Sequence, residues 1–144
     1  MASASNRYPA TLDFGLLLIR IVIGVVFFFH GAQKLFGWFG GPGLEGTEAG
    51  FAKGGIPYPM VSAVLAGGAE FVGGLALILG VFMRILILPT IFTMGVAVFH
   101  AHWDKGFSAG QGGYEYPLTL GVVMLGLVFT GAGRYALYEY RPRK

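Results

Sequence analysis

The run Leu12–Phe36, LDFGLLLIRIVIGVVFFFHGAQKLF, decides the fold class. It is apolar over the length of a bilayer crossing, which takes about 20 mostly apolar residues, with a range of about 17–25. Within it only Asp13, Arg20 and Lys34 carry a formal charge. Three further stretches qualify, at about 60–80, 85–101 and 117–133. The expectation is an all-α polytopic membrane protein: one domain over 1–144, built as an antiparallel bundle of four transmembrane helices. The opening segment reads as a retained helix and not a cleaved signal peptide. Its apolar run is too long, Asp13 and Arg20 interrupt it, and no small-residue cleavage site is evident.

Composition agrees. Hydrophobic residues make up 55% of the chain and charged residues 12%, with mean hydropathy +0.67. A soluble domain carries about 25% charged residues. A chain this apolar cannot cover a water-facing surface with polar groups, so the lipid bilayer is its main partner. The net charge of +3 does not point to nucleic acid, because Arg134, Arg141, Arg143 and Lys144 crowd the C-terminus, where they suit topology and headgroup contact. The chain has no cysteine, which removes disulfides, thiol redox chemistry, cysteine-held iron–sulfur clusters and covalent c-type haem.

The basic residues also set the expected orientation. Arg7, Arg84, Arg134, Arg141, Arg143 and Lys144 fall on one side of the four segments, and Lys34, Lys53 and Lys105 on the other. The positive-inside rule then places both termini and the tight Val81–Arg84 turn in the cytoplasm. The two glycine-rich connections, 37–59 and 102–116, face outward. Trp38, Tyr58, Trp103, Tyr114 and Tyr116 form the outer aromatic belt, and Tyr135, Tyr138 and Tyr140 the inner one.

Charges at bilayer depth cost from about 2.5 kcal/mol upward and usually face the bundle interior with a partner. Arg20 shares a helix face with Asp13, Gly24, Phe27, Gly31 and Lys34. Glu70 shares one with Ala63, Gly67 and Gly74, small residues that let membrane helices approach closely. Two readings stand together. One is a buried ion pair, Arg20 reaching Glu70, that locks the first helix to the second. The other is a proton or quinone site built on a perturbed carboxylate.

The histidines lie toward the outer end. His30 flanks the stripe of the first helix, and His100 continues the Pro89, Thr93, Ala97 face of the third. In a regular helix His102 points elsewhere. His30 and His100 are therefore the pair expected to converge, with Lys34 and Glu115 at the mouth. Two histidines on two helices can ligate haem b or a metal, with Glu70 or Glu115 as a third ligand, but no spacing here matches an established metal motif and no metal ligand is assigned. Interfacial hydrogen bonding by at least one histidine is one alternative, and hydrogen bonding to a quinone ring is another. The candidate catalytic residues are thus Glu70, Arg20 and His30. Those for cofactor binding are His30, His100, Lys34 and Glu115.

In the first connection Thr47–Lys53 is expected to form a short helix, capped by Thr47 and stopped by Gly54, that folds as a lid with Phe51 dipping into the membrane interface, because Phe51, Ile56 and Met60 would otherwise expose apolar surface; a flexible linker is the alternative. Its glycines follow no strand and lack the spacing of a nucleotide fingerprint. Ser108 in the second connection has no base at an identifiable spacing, which argues against nucleophilic hydrolysis.

The run His30-Gly31-Ala32-Gln33-Lys34-Leu35-Phe36-Gly37, preceded by Arg20, resembles the first helix of the DoxX family. The resemblance continues through Thr47, Phe51, Gly54-Gly55-Ile56-Pro57, Glu70, Gly73-Gly74, Arg84, Ala97, His100, Gly106-Phe107, Glu115-Tyr116 and Gly131-Ala132-Gly133-Arg134-Tyr135. It implies a small four-helix protein of the bacterial inner membrane. Relatives include the membrane subunit of a thiosulfate:quinone oxidoreductase and members of oxidative-stress complexes. By position, Arg20, His30, Lys34, Glu70, His100 and Glu115 match polar positions of the family. Where the family pattern often continues with serine, leucine and aspartate, this chain has Ala136, Leu137 and Tyr138, so no role passes to that aspartate. The leading expectation is a quinone-linked redox component of a membrane oxidoreductase complex. The alternatives are a non-catalytic anchor or scaffold for a partner protein, or a small transporter or lipid-binding module, with homo-oligomerisation as a further expectation.

Overall fold

The computed structural model describes residues 9–138, and the secondary structure among them is helical apart from one isolated bridge between Val81 and Tyr138. Arg7, Tyr140, Arg141, Arg143 and Lys144, used above for orientation and the inner belt, lie outside the described residues.

Helix α1 spans Ala10–Phe36 and stops at Gly37, whose φ of 69° takes the left-handed conformation that glycine adopts without strain. Helix α2, Gly43–Lys53, lies in the first connection. Helix α3, Pro59–Leu79, starts on a proline, which has no N–H to leave unsatisfied. After a turn at Gly80–Phe82 come the single-turn α4, Met83–Leu86, and α5, Leu88–Val96, whose axis continues as a π-helical turn over Ala97–His102. Helix α6 is Glu115–Thr130.

Three stretches are long and apolar enough to cross a membrane: Ala10–Phe36, Pro59–Leu79 and Met83–Lys105. Helix α6 is also apolar but has 16 residues, about 24 Å of rise. The sequence put its end near 133. The structure ends it at Thr130, because Gly131 at φ 81° turns the chain back under the bundle. The sequence also expected α2 to begin at Thr47. It begins at Gly43, and Thr47 sits one turn inside, where its hydroxyl bonds the Gly43 carbonyl at 2.7 Å and reaches the Lys34 carbonyl at 3.2 Å.

The tightest packing is between α1 and α3, which run antiparallel. Gly24 lies against Gly74 and Ile78, and Gly31 against Gly67 and Phe71. Each glycine pair is seven residues apart, so two helical turns on one helix match two on the other. A Cβ at Gly31 would fall on the Phe71 backbone, and one at Gly74 on the Phe28 backbone. This small-on-small seam is what membrane helices use where apolar burial gives no net drive. The core beside it is apolar, with Leu16, Phe27, Leu77, Ile87, Met124 and Leu127. The outer surface is apolar as well: Phe14, Val22, Leu65, Phe92 and Phe129 are all exposed.

One end of the bundle is closed by a strap, residues 131–138. Its Leu137 and Tyr138 amides donate to the Leu79 and Gly80 carbonyls, and the Phe82 amide donates to Tyr138. The Asp13 carboxylate accepts the Arg134 amide at 2.9 Å. Arg20, fully buried, donates to the Tyr135 carbonyl at 2.8 Å. The other end carries α2 as a lid.

Candidate functional site

Under the lid lies a cavity of about 720 Å³ between α1, α3, α5 and α6. Helices α3 and α5 touch at mid-bundle, where Thr90 packs on Gly73 and its hydroxyl donates to the Ala69 carbonyl at 2.7 Å. Toward the lid they part. Leu65 and Phe92 line the cavity and are also 66% and 72% exposed, so it opens sideways onto the apolar outer surface. Phe27, Leu120, Met94 and Phe51 of the lid complete an apolar wall.

Set in that wall is an ion pair. Lys34 Nζ donates to Glu70 Oε2 at 2.5 Å, with the side chains 25% and 5% exposed. The glycine seam fixes it. Pairing Gly31 with Gly67 and Gly24 with Gly74 brings Glu70 to the level of α1's last turns, not to Arg20. The expected Arg20–Glu70 bond is therefore not formed. Arg20 sits near the strap end, against Gly80 and the Tyr135 carbonyl, and does not line the cavity. Breaking a buried pair by removing one partner strands a charge and costs about 3–5 kcal/mol, so Lys34 is what makes an ionised Glu70 tolerable at this depth.

His30 lines the cavity beside this pair. His100 does not line it. Its Nε2 donates to the Gly54 carbonyl at 3.0 Å and so clips the end of the lid helix to the third span. His102 lines the cavity instead. The cause is the π-helical turn over Ala97–His102: its i→i+5 bonding adds a residue to the turn, so the face that continues Pro89, Thr93 and Ala97 is taken up by Ala101 and His102. The expected convergence of His30 with His100 is thus replaced by His30 and His102 on walls of one cavity. His102 Nδ1 is bonded to the Gly112 carbonyl at 2.7 Å. Glu115 is also off the cavity wall. Its Oε2 accepts the Ala109 amide at 3.0 Å and orders the second connection, while the next residue, Tyr116, lines the cavity. Among the described residues no group of three or more histidines, cysteines or carboxylates is placed to hold a metal ion.

Fold and site together define a helical membrane protein with a buried ion pair on the wall of a laterally open apolar cavity. More narrowly, the chain belongs to the DoxX family, whose model matches residues 15–103. It is similar to the inner membrane protein YphA of Escherichia coli (strain K12), with 32% identity over 87% of this chain and 93% of that protein. It is also similar to the inner membrane protein YqjF of the same organism, with 31% identity over 92% and 95% of the two chains. A Bacillus subtilis (strain 168) protein named "Putative oxidoreductase CatD" is 30% identical over 88% of this chain and 87% of its own length. No solved structure matches the chain. The apolar spans and these relatives identify a multi-pass protein of the bacterial inner membrane.

Proposed function

We propose that the chain is the quinone-binding membrane component of an oxidoreductase complex. The observation that carries this is the Lys34–Glu70 pair exposed to an apolar, laterally open cavity of about 720 Å³. Ligand pockets fall in the range of about 300–1,000 Å³ and combine apolar walls with a few placed polar groups. A quinone is drawn from the bilayer through the gap between α3 and α5. Lys34 Nζ donates to a ring carbonyl, Glu70 holds or receives a proton, and His30 orients the ring. His100 acts one step back through the lid, Glu115 through the second connection, and Arg20 by holding the strap. Electrons come from a partner subunit. The name of the Bacillus subtilis relative supports the same class of reaction.

In this reading α6 is a fourth crossing, and both termini are cytoplasmic. A reporter fused to the C-terminus is expected to be active only on the cytoplasmic side, and an extracytoplasmic signal reverses the orientation. The ligand is tested by gentle purification followed by solvent extraction and quantification of quinone. Glu70→Gln and His30→Ala are expected to lose most of the co-extracted quinone. If both variants fold and retain it at the wild-type level, the site is not a quinone site.

A further inference from the structure

The polar groups of the cavity stand on two walls. Helices α1 and α3 pack as one pair and α5 and α6 as another, and the first pair carries Lys34, Glu70 and His30. The second pair lines the cavity mostly with apolar side chains, and its polar members are Thr93, His102 and Tyr116. Two of these have committed their protons. Thr93 donates its hydroxyl proton to the Thr90 carbonyl at 2.7 Å. A carbonyl can only accept, so a neutral His102 places its ring proton on the Nδ1 that meets the Gly112 carbonyl at 2.7 Å. Tyr116 has not: its hydroxyl has no hydrogen-bond partner among the described residues. It is therefore the side-chain donor that this wall has left. Its place is fixed. The Tyr114 and Glu115 amides donate to the Gly106 and Phe107 carbonyls at 3.0 and 2.9 Å, and the Glu115 carboxylate accepts the Ala109 amide at 3.0 Å. Tyr116 stands, half-exposed, in the first turn of α6, and Lys34 in the last turn of α1. Both lie at the lid end of the cavity, on different walls.

A ligand with one polar end uses one wall and leaves the donor on the other without a partner in the cavity. A 1,4-quinone carries two oxygens on opposite sides of its ring and can meet both. We infer that Tyr116 is the second anchor of the ligand: its hydroxyl bonds the ring oxygen remote from Lys34, and the cavity thereby prefers a ring with two opposed oxygens over a lipid with one polar end. This rests on the quinone reading above and names the specificity of that site. A phenol both donates and accepts, so the same anchor meets the carbonyl of the oxidised ring and the hydroxyl of the reduced one. Glu115, off the cavity wall, acts by holding the turn that presents Tyr116. One neutral hydrogen bond of this kind accounts for about fivefold in affinity.

The test uses the full chain in lipid nanodiscs, with decylubiquinone as the two-ended probe and 2-decylphenol as the one-ended one. The single hydroxyl of the phenol goes to the charged Glu70, the stronger acceptor. Tyr116→Phe removes the hydroxyl and keeps the ring. Tyr114→Phe is the control, because Tyr114 stacks on Trp103 with ring centroids 5.1 Å apart and does not line the cavity. Tyr116→Phe is expected to bind decylubiquinone about fivefold more weakly than wild type and 2-decylphenol as wild type does. Tyr114→Phe is expected to change neither. Unchanged decylubiquinone affinity in Tyr116→Phe, or an equal loss for both probes, overturns this inference and leaves the quinone site standing. Wild type that binds neither probe, or 2-decylphenol alone, overturns both.

Discussion

Gly31→Ala probes the seam on which the site depends. The added methyl would fall on the Phe71 backbone, with the Phe71 Cα at 2.7 Å and the Gly67 carbonyl oxygen at 2.9 Å, where ordinary contact begins at 3.4 Å. These are backbone atoms and cannot rotate away. Helices α1 and α3 must part by the better part of an ångström, and a gap of that size forfeits a quarter to a half of each contact's attraction along the seam. Overpacking of this kind costs about 1–3 kcal/mol. Gly68→Ala is the control, because nothing lies within 4 Å of a Cβ there. It keeps the helix-propensity gain of alanine over glycine, about 1 kcal/mol, without the clash. That gain is common to both variants, which should therefore differ by the clash alone, about 1–3 kcal/mol, or about 3 °C or more in Tm for a chain of this size. Thermal unfolding in detergent, followed by tryptophan fluorescence, measures it. If Gly31→Ala is as stable as Gly68→Ala, the α1–α3 seam is not the close contact described, and the register that sets Glu70 beside Lys34 is wrong.

Other outcomes follow from single contacts. Lys34→Met leaves Glu70 without its cation and is expected to cost about 3 kcal/mol in denaturant unfolding, most of it recovered in the double variant Lys34→Met/Glu70→Leu. Thr47→Val removes the lid hydroxyl from the Lys34 carbonyl, and His100→Ala removes the clip on Gly54, so trypsin should cut after Lys53 about fivefold faster in each. Gly80→Ala places a methyl on the Arg20 guanidinium and on Ala136 at a φ of 67°. It should release the strap and lower Tm more than any other helix-end glycine substitution, as read in the same thermal assay.

Hydropathy made the three long spans legible, because twenty consecutive apolar residues have few other uses. The lid helix was legible from Gly54 and from the apolar Phe51 and Ile56, though its start was not: Gly43 and Leu44 carry no capping signal, and Thr47, a good cap residue, is used to hold Lys34 instead. The partner of Glu70 was hidden by reach. Arg20 and Lys34 share a face of α1, and choosing between them needs the register of α3. That signal was present in the matched seven-residue spacings of Gly24 with Gly31 and Gly67 with Gly74, which only the antiparallel pairing turns into a distance. His102 was missed for a different reason. The sequence Ala97–His102 fits an α-helix as well as a π-helix, and the extra residue in the turn exchanges which histidine meets the cavity. No local propensity marks that choice. It is made by the connection that follows, where Gly112 receives His102.

The central claim is that the cavity beside Lys34 and Glu70 holds a quinone. Ala66 lines it and is half-buried, so Ala66→Trp fills the space from α3 while both Lys34 and Glu70 are kept. Quinone co-purifying with gently extracted wild type and with Ala66→Trp is the most direct measurement. The account predicts near-stoichiometric quinone in the wild type and its loss in the filled variant. Equal quinone in both, or none in the wild type, would contradict it.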